Sequence, residues 1–254
     1  MCELDGQYCV RMIVLFTDFG PSGPYIGQMR SAIAQRAPNE TVIELLSNAP
    51  TFNPKASAYL MAALAPDFSD DAIFLCVVDP GVGSDRLPLI VKADNQIFIG
   101  PDNGLFSIIA RRSSTVSAQK ITWKPDQLSA SFHGRDLFAP VAAMIASGET
   151  IETEPIPMEK QAEPSWPDDL KSIIYIDHFG NAMTGIRAKT LSTTTKLECC
   201  GIEISFARTF SSVESGAVFW YENSNGLAEI SVNQGRAESL GLNIGQPISI
   251  ITPK

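Results

Sequence analysis

Residues 73–86, which read IFLCVVDPGVGSDR, decide the fold class of this chain. The first six are apolar and predict a buried strand, and polar residues begin directly after it. A proline and two glycines then force a tight turn. Open α/β folds bind their ligands at the carboxyl ends of such strands. We therefore expect Asp79 and Arg86 to face a crevice, where with a histidine they could hold and deprotonate a water.

Around this stretch, strand patterns alternate with helix patterns. Strands are predicted at residues 12–16, 41–46 and 73–78, and helices at residues 25–36, 56–64 and 137–146. Asp94-Asn95 lies between two apolar runs and predicts a hairpin. This alternation favours a layered α/β domain with a parallel sheet, which we assign to residues 12–150.

The character of the sequence changes after residue 150. Residues 151–169 are acidic and rich in proline, which predicts a linker. Short strand-like runs separated by turn residues follow, without a long amphipathic helix. Residues 170–254 are therefore expected to form a small β-barrel or sandwich.

Composition limits the classes of partner. The 254 residues carry a net charge of −9, which makes a nucleic-acid partner unexpected. No apolar run approaches the roughly 20 residues that span a bilayer, and the start of the chain lacks a signal-peptide pattern. The five cysteines are odd in number and have no Cys-x-x-Cys spacing, which argues against a disulfide framework or a zinc site and favours the cytoplasm.

Several polar residues after predicted strands have two interpretations. Asp18, at the end of the first strand, suits the hydroxyls of a ribose, or it caps a turn. His133 is bracketed by polar residues and a glycine, which favours a functional role over a core position. Asp136 could be the N-cap of the following helix. Asp102 and its neighbours could form a turn or contact a ligand.

A two-metal hydrolase is an alternative interpretation of the same carboxylates. Its members would be Asp18, Asp79, Asp102, His133 and Asp136. The chain holds only two histidines and lacks His-x-His and Glu-x-x-His spacings. We therefore expect no metal, and His178 has no assigned role.

Six motifs in order resemble the S-adenosyl-L-methionine hydroxide adenosyltransferases, relatives of the fluorinase and chlorinase enzymes. They are FTDFG (16–20), VDPGVGS (78–84), GPDNG (100–104), FHGRD (132–136), DHFGN (177–181) and VNQG (232–235). The resemblance implies a Rossmann-like N-terminal domain, a C-terminal β-barrel and a homotrimer. It also implies a ligand site between the N-terminal domain of one subunit and the C-terminal domain of its neighbour.

The resemblance also implies roles for individual residues. The water-activating set would be Asp79, Arg86 and His133, with Asp18 on the ribose hydroxyls. The remaining substrate contacts would be Asp177 and Asn181 on the methionine amino acid group, Phe179 beside the ligand, and Asn233 and Gln234 at the adenine.

The implied reaction is hydrolysis of S-adenosyl-L-methionine to adenosine and L-methionine by attack of water at ribose C5′. It needs no cofactor, because the sulfonium departs as a neutral thioether. Whether His133 takes the proton of the water or the set polarises the water stays open. A non-catalytic sensor is one alternative. A halogenase is another, disfavoured because the halogenases replace the Asp-Arg-His set and the fluorinase has a serine where this chain has Gly134.

Overall fold

The computed structural model describes residues 11–157 and 163–251. These residues divide into two compact units, one formed by residues 11–54 and 67–157 and the other by residues 55–66 and 163–251. The acidic start of the chain with Cys2 and Cys9, linker residues 158–162 and residues 252–254 lie outside the described residues.

The first unit contains a sheet and the helices around it. Its elements are β1 (Met12–Thr17), α1 (Tyr25–Arg36), β2 (Thr41–Leu46), β3 (Ile73–Val77), β4 (Pro88–Ala93), β5 (Gln96–Pro101), α3 (Ser107–Arg112), β6 (Val116–Ile121), α4 (Ala139–Ala146) and β7 (Thr153–Ile156), while α2 (Pro54–Leu64) falls almost wholly in the second unit. The second unit continues with β8 (Leu170–Ile176), β9 (Ala182–Arg187), β10 (Lys196–Cys199), β11 (Ile202–Ile204), β12 (Val218–Glu222), β13 (Leu227–Val232) and β14 (Ser249–Ile251).

Within residues 11–157, seven strands form one sheet in the order β2-β1-β3-β5-β4-β6-β7. The first four strands run parallel, and β4, β6 and β7 are each antiparallel to their neighbours. The predicted α/β class is confirmed, with an antiparallel edge added to the parallel part.

The core of the first unit explains why β1 and β3 are almost continuously apolar. Both strands are buried along nearly their whole length, as parallel strands covered on both faces are. On one face, residues of α1 and α4 pack against Leu15 and Leu75. In the register of the two strands Thr17 lies opposite Val77, so β1 and β3 end at the same edge of the sheet. Polar residues that follow these strands therefore start close together.

A glycine in β5 permits the close approach of β3. A Cβ atom at Gly100 would lie 2.2 Å from the carbonyl oxygen of Cys76 and 3.0 Å from the ring of Phe106. Since the nearest obstacle is backbone, it cannot rotate away. This explains why the GPDNG motif begins with glycine.

Two segments lie elsewhere than the sequence pattern suggested. Four residues of the expected linker form β7, which pairs with β6. The helix expected inside the N-terminal domain, α2, groups with the second unit, where Tyr59 donates a hydrogen bond to the carbonyl of Pro167 and Lys55 lies 5.6 Å from the ring of Trp166. The apolar pattern of α2 predicts that the helix is buried, but it does not indicate which of the two units the helix belongs to.

Two antiparallel sheets make up the barrel of the second unit within residues 163–251. One has the order β12-β13-β9-β8 and the other β11-β10-β14. Single bridges join their edges, from Ser172 to Pro247 and from Phe206 to Trp220. The strands thus close into a ring around a core that includes Trp220 and Ile230, and the predicted β-barrel is confirmed. No helix in the described ranges is long and apolar enough to cross a membrane.

Replacing Gly100 by alanine is expected to destabilise the first unit. Overpacking against rigid backbone costs about 1–3 kcal/mol, and the loss is measured as a lower free energy of unfolding in urea. The matched control is Gly27→Ala in α1, where a Cβ meets nothing within 4 Å. That variant is expected to gain about 0.5–1 kcal/mol because glycine is a poor helix former. Equal stability of the two variants would contradict the packing described.

Candidate active site

Asp79 is held at the end of β3 by the GPDNG motif. The side-chain amide of Asn103 donates a 2.8 Å hydrogen bond to the carbonyl of Val78, and its own carbonyl accepts from the N–H of Leu105 at 3.3 Å. Asn103 thus ties the turn after β5 to the residue before Asp79. The motif therefore forms a turn that lies close to the candidate site, and its contact with a ligand stays a prediction.

A second close approach brings together the loops that carry Arg86 and His133. Gly83 has a φ of +82°, and a Cβ there would lie 2.8 Å from the carbonyl oxygen of Ala130. A side chain at this position would be strained and would also push the two loops apart. The glycines after β3 therefore shape the turn that positions Arg86.

Asp79, Arg86 and His133 form a continuous hydrogen-bonded chain. Nε of Arg86 donates to both carboxylate oxygens of Asp79 at 2.9 Å, and Nη2 also donates to Oδ2. The same Nη2 lies 3.0 Å from Nδ1 of His133. The Arg86 and Asp79 side chains are 9% and 4% exposed, and the guanidinium lies 5.3 Å from the ring of Phe138. The structure thus brings together the three residues predicted as the catalytic set.

The contact with Arg86 fixes the tautomer of His133. A guanidinium has only N–H donors, so Nδ1 of His133 must accept. The proton of the neutral ring is then on Nε2, which becomes a donor. Burial lowers the pKa of His133, and the positive charge of Arg86 lowers it further, against smaller opposing effects of Asp79 and Asp136. The imidazole is therefore neutral at pH 7 and offers an N–H at Nε2.

Asp18 follows β1 and lies on the same side of the first unit. Its Oδ2 accepts a 2.9 Å hydrogen bond from the backbone N–H of Phe52. Burial raises the pKa of Asp18, against the smaller opposing effect of this hydrogen bond from Phe52. Phe52 is 74% exposed and has a φ of +54°, a conformation rare for a bulky residue. Phe52 is not predicted from the sequence, since an aromatic residue in a loop gives no sign of such backbone geometry.

An aromatic cluster lies beside these groups. The rings of Phe19, Tyr25 and Phe132 lie 5.3–5.8 Å apart in edge-to-face or tilted pairs. A Cβ at Gly134 would lie 3.2 Å from the ring of Phe132, 3.3 Å from Phe19 and 3.4 Å from the sulfur of Met29. Even an alanine at position 134 would therefore require these side chains to shift by a few tenths of an ångström.

Asp136 and Asp102 make local contacts, and Asp136 lies within the helical segment Gly134–Phe138, so the expectation that it is the N-cap of the following helix is wrong. Asp136 accepts from the guanidinium of Arg135 and from the N–H of Ser129, and these bonds lower its pKa. The N–H of Asp102 donates to the carbonyl of Leu87. In the part of the chain that the structure describes, no group of three or more His, Cys, Asp or Glu side chains is arranged to hold a metal ion.

The second unit carries a separate group of predicted residues. Asn181 donates to Asp177 twice, from its backbone N–H at 2.8 Å and from its side chain at 2.9 Å. The hydroxyl of Ser231, which is fully buried, donates to the side-chain oxygen of Asn181 at 2.7 Å. These bonds fix the orientation of the Asn181 amide and hold the Asp177 carboxylate beside it.

Next to this group is a cavity of about 480 Å³. Its lining residues are Phe179, Asn181, Phe210, Val232, Gln234, Gly235 and Arg236. Phe179 is 73% exposed, which is unusual for so large an apolar side chain. Two aromatic rings on an open cavity are suited to the flat faces of a nucleobase. Phe210 is not predicted from the sequence, because it lies in a turn-rich segment without a recognised motif.

Of the two residues predicted to contact adenine, Gln234 lines this cavity and Asn233 does not. Asn233 is not among the lining residues, and its side chain donates to the carbonyl of Val213 at 2.9 Å, so its adenine contact stays a prediction. Gln234 lines the cavity in a left-handed conformation, with a φ of +58°. The backbone carbonyl of His178 accepts from Arg236 at 2.7 Å.

Comparison with known proteins identifies both parts of the chain. Residues 13–154 match the family model of the SAM hydroxide adenosyltransferase N-terminal domain, and residues 171–249 match that of the C-terminal domain. The chain is 31% identical to an (R)-S-adenosyl-L-methionine hydrolase of Thermus thermophilus, with 95% of this chain and all of the relative aligned. It is 32% identical to an enzyme of the same name from Salinispora arenicola, over 88% of this chain and 91% of the relative.

A solved structure has the same fold. It is that of an uncharacterized conserved protein from Thermotoga maritima, which superposes with a TM-score of 0.80 at 28% identity. The superposition covers 95% of this chain and all of the other.

Proposed function

Since the chain belongs to the SAM hydroxide adenosyltransferase family, we propose that it hydrolyses S-adenosyl-L-methionine to adenosine and L-methionine. The observation that carries the proposal is the buried chain of hydrogen bonds from Asp79 through Arg86 to His133. A pure binding protein has no need of such a water-activating set, so a non-catalytic sensor explains it less well.

The chemistry requires a nucleophile but no acid. The oxygen of water attacks ribose C5′, and the bond from C5′ to sulfur breaks with its electrons moving to sulfur. Methionine then leaves as a neutral thioether and the proton of the water passes to solvent. Holding a water in line with the leaving sulfur lowers the activation barrier by fixing the position and orientation of the nucleophile. No cofactor takes part in this proposal.

We assign His133 the role of a donor to this water. Its Nε2 carries a proton and cannot accept another, and its Nδ1 is occupied by Arg86. The positive guanidinium and the Nε2–H favour hydroxide character on the bound oxygen as the proton is lost. Asp79 holds Arg86 in place through its two carboxylate oxygens. The set thus polarises water rather than removing its proton.

The remaining predicted residues account for the rest of the substrate. Asp18 accepts hydrogen bonds from the ribose hydroxyls, and the adenine stacks against Phe179 and Phe210. The Asp177 carboxylate, fixed by Asn181, pairs with the ammonium group of methionine. Asn233 and Gln234 are assigned to the adenine.

We further propose that the protein is a cytoplasmic homotrimer. In it, the Asp79 group of one subunit and the Asp177 group of a neighbour complete one site. Free thiols at Cys199 and Cys200 support a reducing compartment. A halogenase is disfavoured, because the Asp79, Arg86 and His133 set is intact and Gly134 stands where the fluorinase has a serine.

Asp79→Asn is expected to reduce turnover of S-adenosyl-L-methionine by about 10²–10³-fold, because Arg86 loses its charged anchor and the electrostatic stabilisation it provides. The measurement is adenosine release followed by chromatography. In ¹⁸O-labelled water, the wild type should place the label in the 5′-hydroxyl of adenosine and none in methionine. The control is Asp85→Asn, an exposed carboxylate one residue before Arg86, which should behave as the wild type. Label in methionine, or full activity of Asp79→Asn, would overturn the proposal.

Two substitutions of His133 distinguish a residue that donates a hydrogen bond to the water from one that removes the proton of the water. Glutamine keeps an N–H donor but cannot take a proton, so His133→Gln is expected to stay within about tenfold of wild-type turnover. His133→Ala removes the donor and should lose about 10²–10³-fold. Wild-type activity should fall as pH drops through the lowered pKa of His133, since a protonated Nδ1 would face Arg86, and this fall should vanish in His133→Gln. A glutamine variant as inactive as alanine would identify His133 as a base.

Mixed assemblies test the shared site. Asp79→Asn impairs the first unit and Phe210→Ala the second, so each variant alone should be weakly active at low substrate concentration. If each site combines the first unit of one subunit with the second unit of its neighbour, random mixing leaves each half intact in about half of the sites. About a quarter of the sites then have two intact halves, so co-expressed variants should regain about a quarter of wild-type activity. Activity no higher than the average of the two variants would place each site within one subunit.

A further inference from the structure

Backbone geometry in the second unit identifies a residue that the adenosyl site does not explain. Among the described residues, non-glycine residues with positive φ are Phe52, Asp94, Cys200 and Gln234. Asp94 lies in a tight hairpin turn, where aspartate is common. Phe52 donates to Asp18 in the first unit, and Gln234 lines the cavity of the second unit. Cys200 is left, at a φ of +55°.

Cys200 occupies the corner of the hairpin between β10 and β11. Cys199 pairs with Ile202, so Cys200 and Gly201 form a two-residue turn with φ values of +55° and +76°. Such turns favour Asn-Gly, because asparagine tolerates the left-handed conformation. A cysteine here carries a conformational cost, and costs of this kind concentrate at functional positions.

The turn brings two thiols together. Adjacent residues of a strand point to opposite faces, yet the sulfur atoms of Cys199 and Cys200 lie 3.9 Å apart. Cys199 is 1% exposed and belongs to the barrel core, whereas Cys200 is exposed. The side-chain oxygen of Gln246 lies 4.0 Å from the sulfur of Cys199 and accepts from it. The pair therefore combines one accessible thiol with one that is sequestered and held in place.

We propose that Cys199 and Cys200 form a dithiol modification site that a hydroperoxide converts into a disulfide between the two adjacent residues. This site is separate from the proposed hydrolysis of S-adenosyl-L-methionine and does not depend on it. The substrate of this site is a hydroperoxide, either hydrogen peroxide or an organic hydroperoxide.

The two cysteines have different roles in the reaction. The thiolate of exposed Cys200 attacks the terminal oxygen of the peroxide and the O–O bond breaks. The leaving hydroxide or alkoxide takes up the proton that the thiol had released to solvent, and departs as water or an alcohol. This gives a sulfenic acid on Cys200. The sulfur of Cys199 then attacks the sulfur of Cys200, and the S–O bond breaks. The departing hydroxide takes the thiol proton of Cys199 and leaves as water. Two thiols are oxidised and one peroxide is reduced.

The environment supports this division of roles. Burial, together with the hydrogen bond to Cys200, raises the pKa of Cys199 to about 12, so this thiol keeps its proton and does not compete for the peroxide. The Cα atoms of adjacent residues are about 3.8 Å apart, closer than in most disulfides. A disulfide between them is therefore expected to be reduced easily by a dithiol, which makes the modification reversible.

The sequence provides a direct readout. Cleavage after Lys196 and Arg208 releases a peptide, residues 197–208, that contains both cysteines and no other. After treatment of the folded full-length protein with hydrogen peroxide and alkylation in denaturant, this peptide is expected to escape alkylation and to be lighter by two hydrogens. Dithiothreitol should restore both thiols.

Two variants keep the test decisive. Cys200→Asn suits the left-handed turn and should fold, yet Cys199 should then stay a free thiol after peroxide treatment. Cys199→Ser should leave a sulfenic acid on Cys200 that dimedone traps. Adenosine release by Cys200→Asn should equal that of the wild type. Over-oxidation of Cys200 without the disulfide, or links from this peptide only to other cysteines, would overturn the proposal.

Discussion

The guanidinium of Arg86, bound on one side by Asp79 and on the other by His133, is the interaction on which the proposed chemistry depends. Because arginine only donates, this single contact sets the tautomer of the histidine. The same positive charge helps to keep the imidazole neutral at pH 7. A residue that sequence inspection would treat as a general base thereby becomes a donor.

The fold serves this interaction by controlling how closely backbone segments approach. Parallel β1 and β3 end in register, which starts Asp18 and Asp79 at one edge of the sheet. Missing Cβ atoms at Gly83 and Gly100 allow the neighbouring carbonyls of Ala130 and Cys76 to close in. The barrel contributes a second, independently organised group, in which buried Ser231 orients Asn181 and thereby Asp177.

Much of this arrangement was predictable from the sequence because its signals are local. The apolar run of β3 ends sharply at Asp79, and the periodicity of α1 gave its bounds. Other features depend on tertiary structure. The β9 strand contains Gly185 and lacks a clear alternation, and it is defined by pairing with β8 and β13. Phe52 reaches Asp18, and Phe210 reaches the cavity of the second unit, through loop conformations that no pattern encodes. The tautomer of His133 required the position of Arg86.

The most direct test of the central claim is the protonation of the His133 ring itself. We would record ¹⁵N chemical shifts of the imidazole nitrogens in the ligand-free protein at pH 7, using a His178→Gln variant to assign the signals of the two histidines. We expect an unprotonated Nδ1 and a protonated Nε2, with a titration midpoint below the ordinary value of about 6.5. A proton on Nδ1 with Nε2 free, or a charged ring at pH 7, would contradict the proposed donor role.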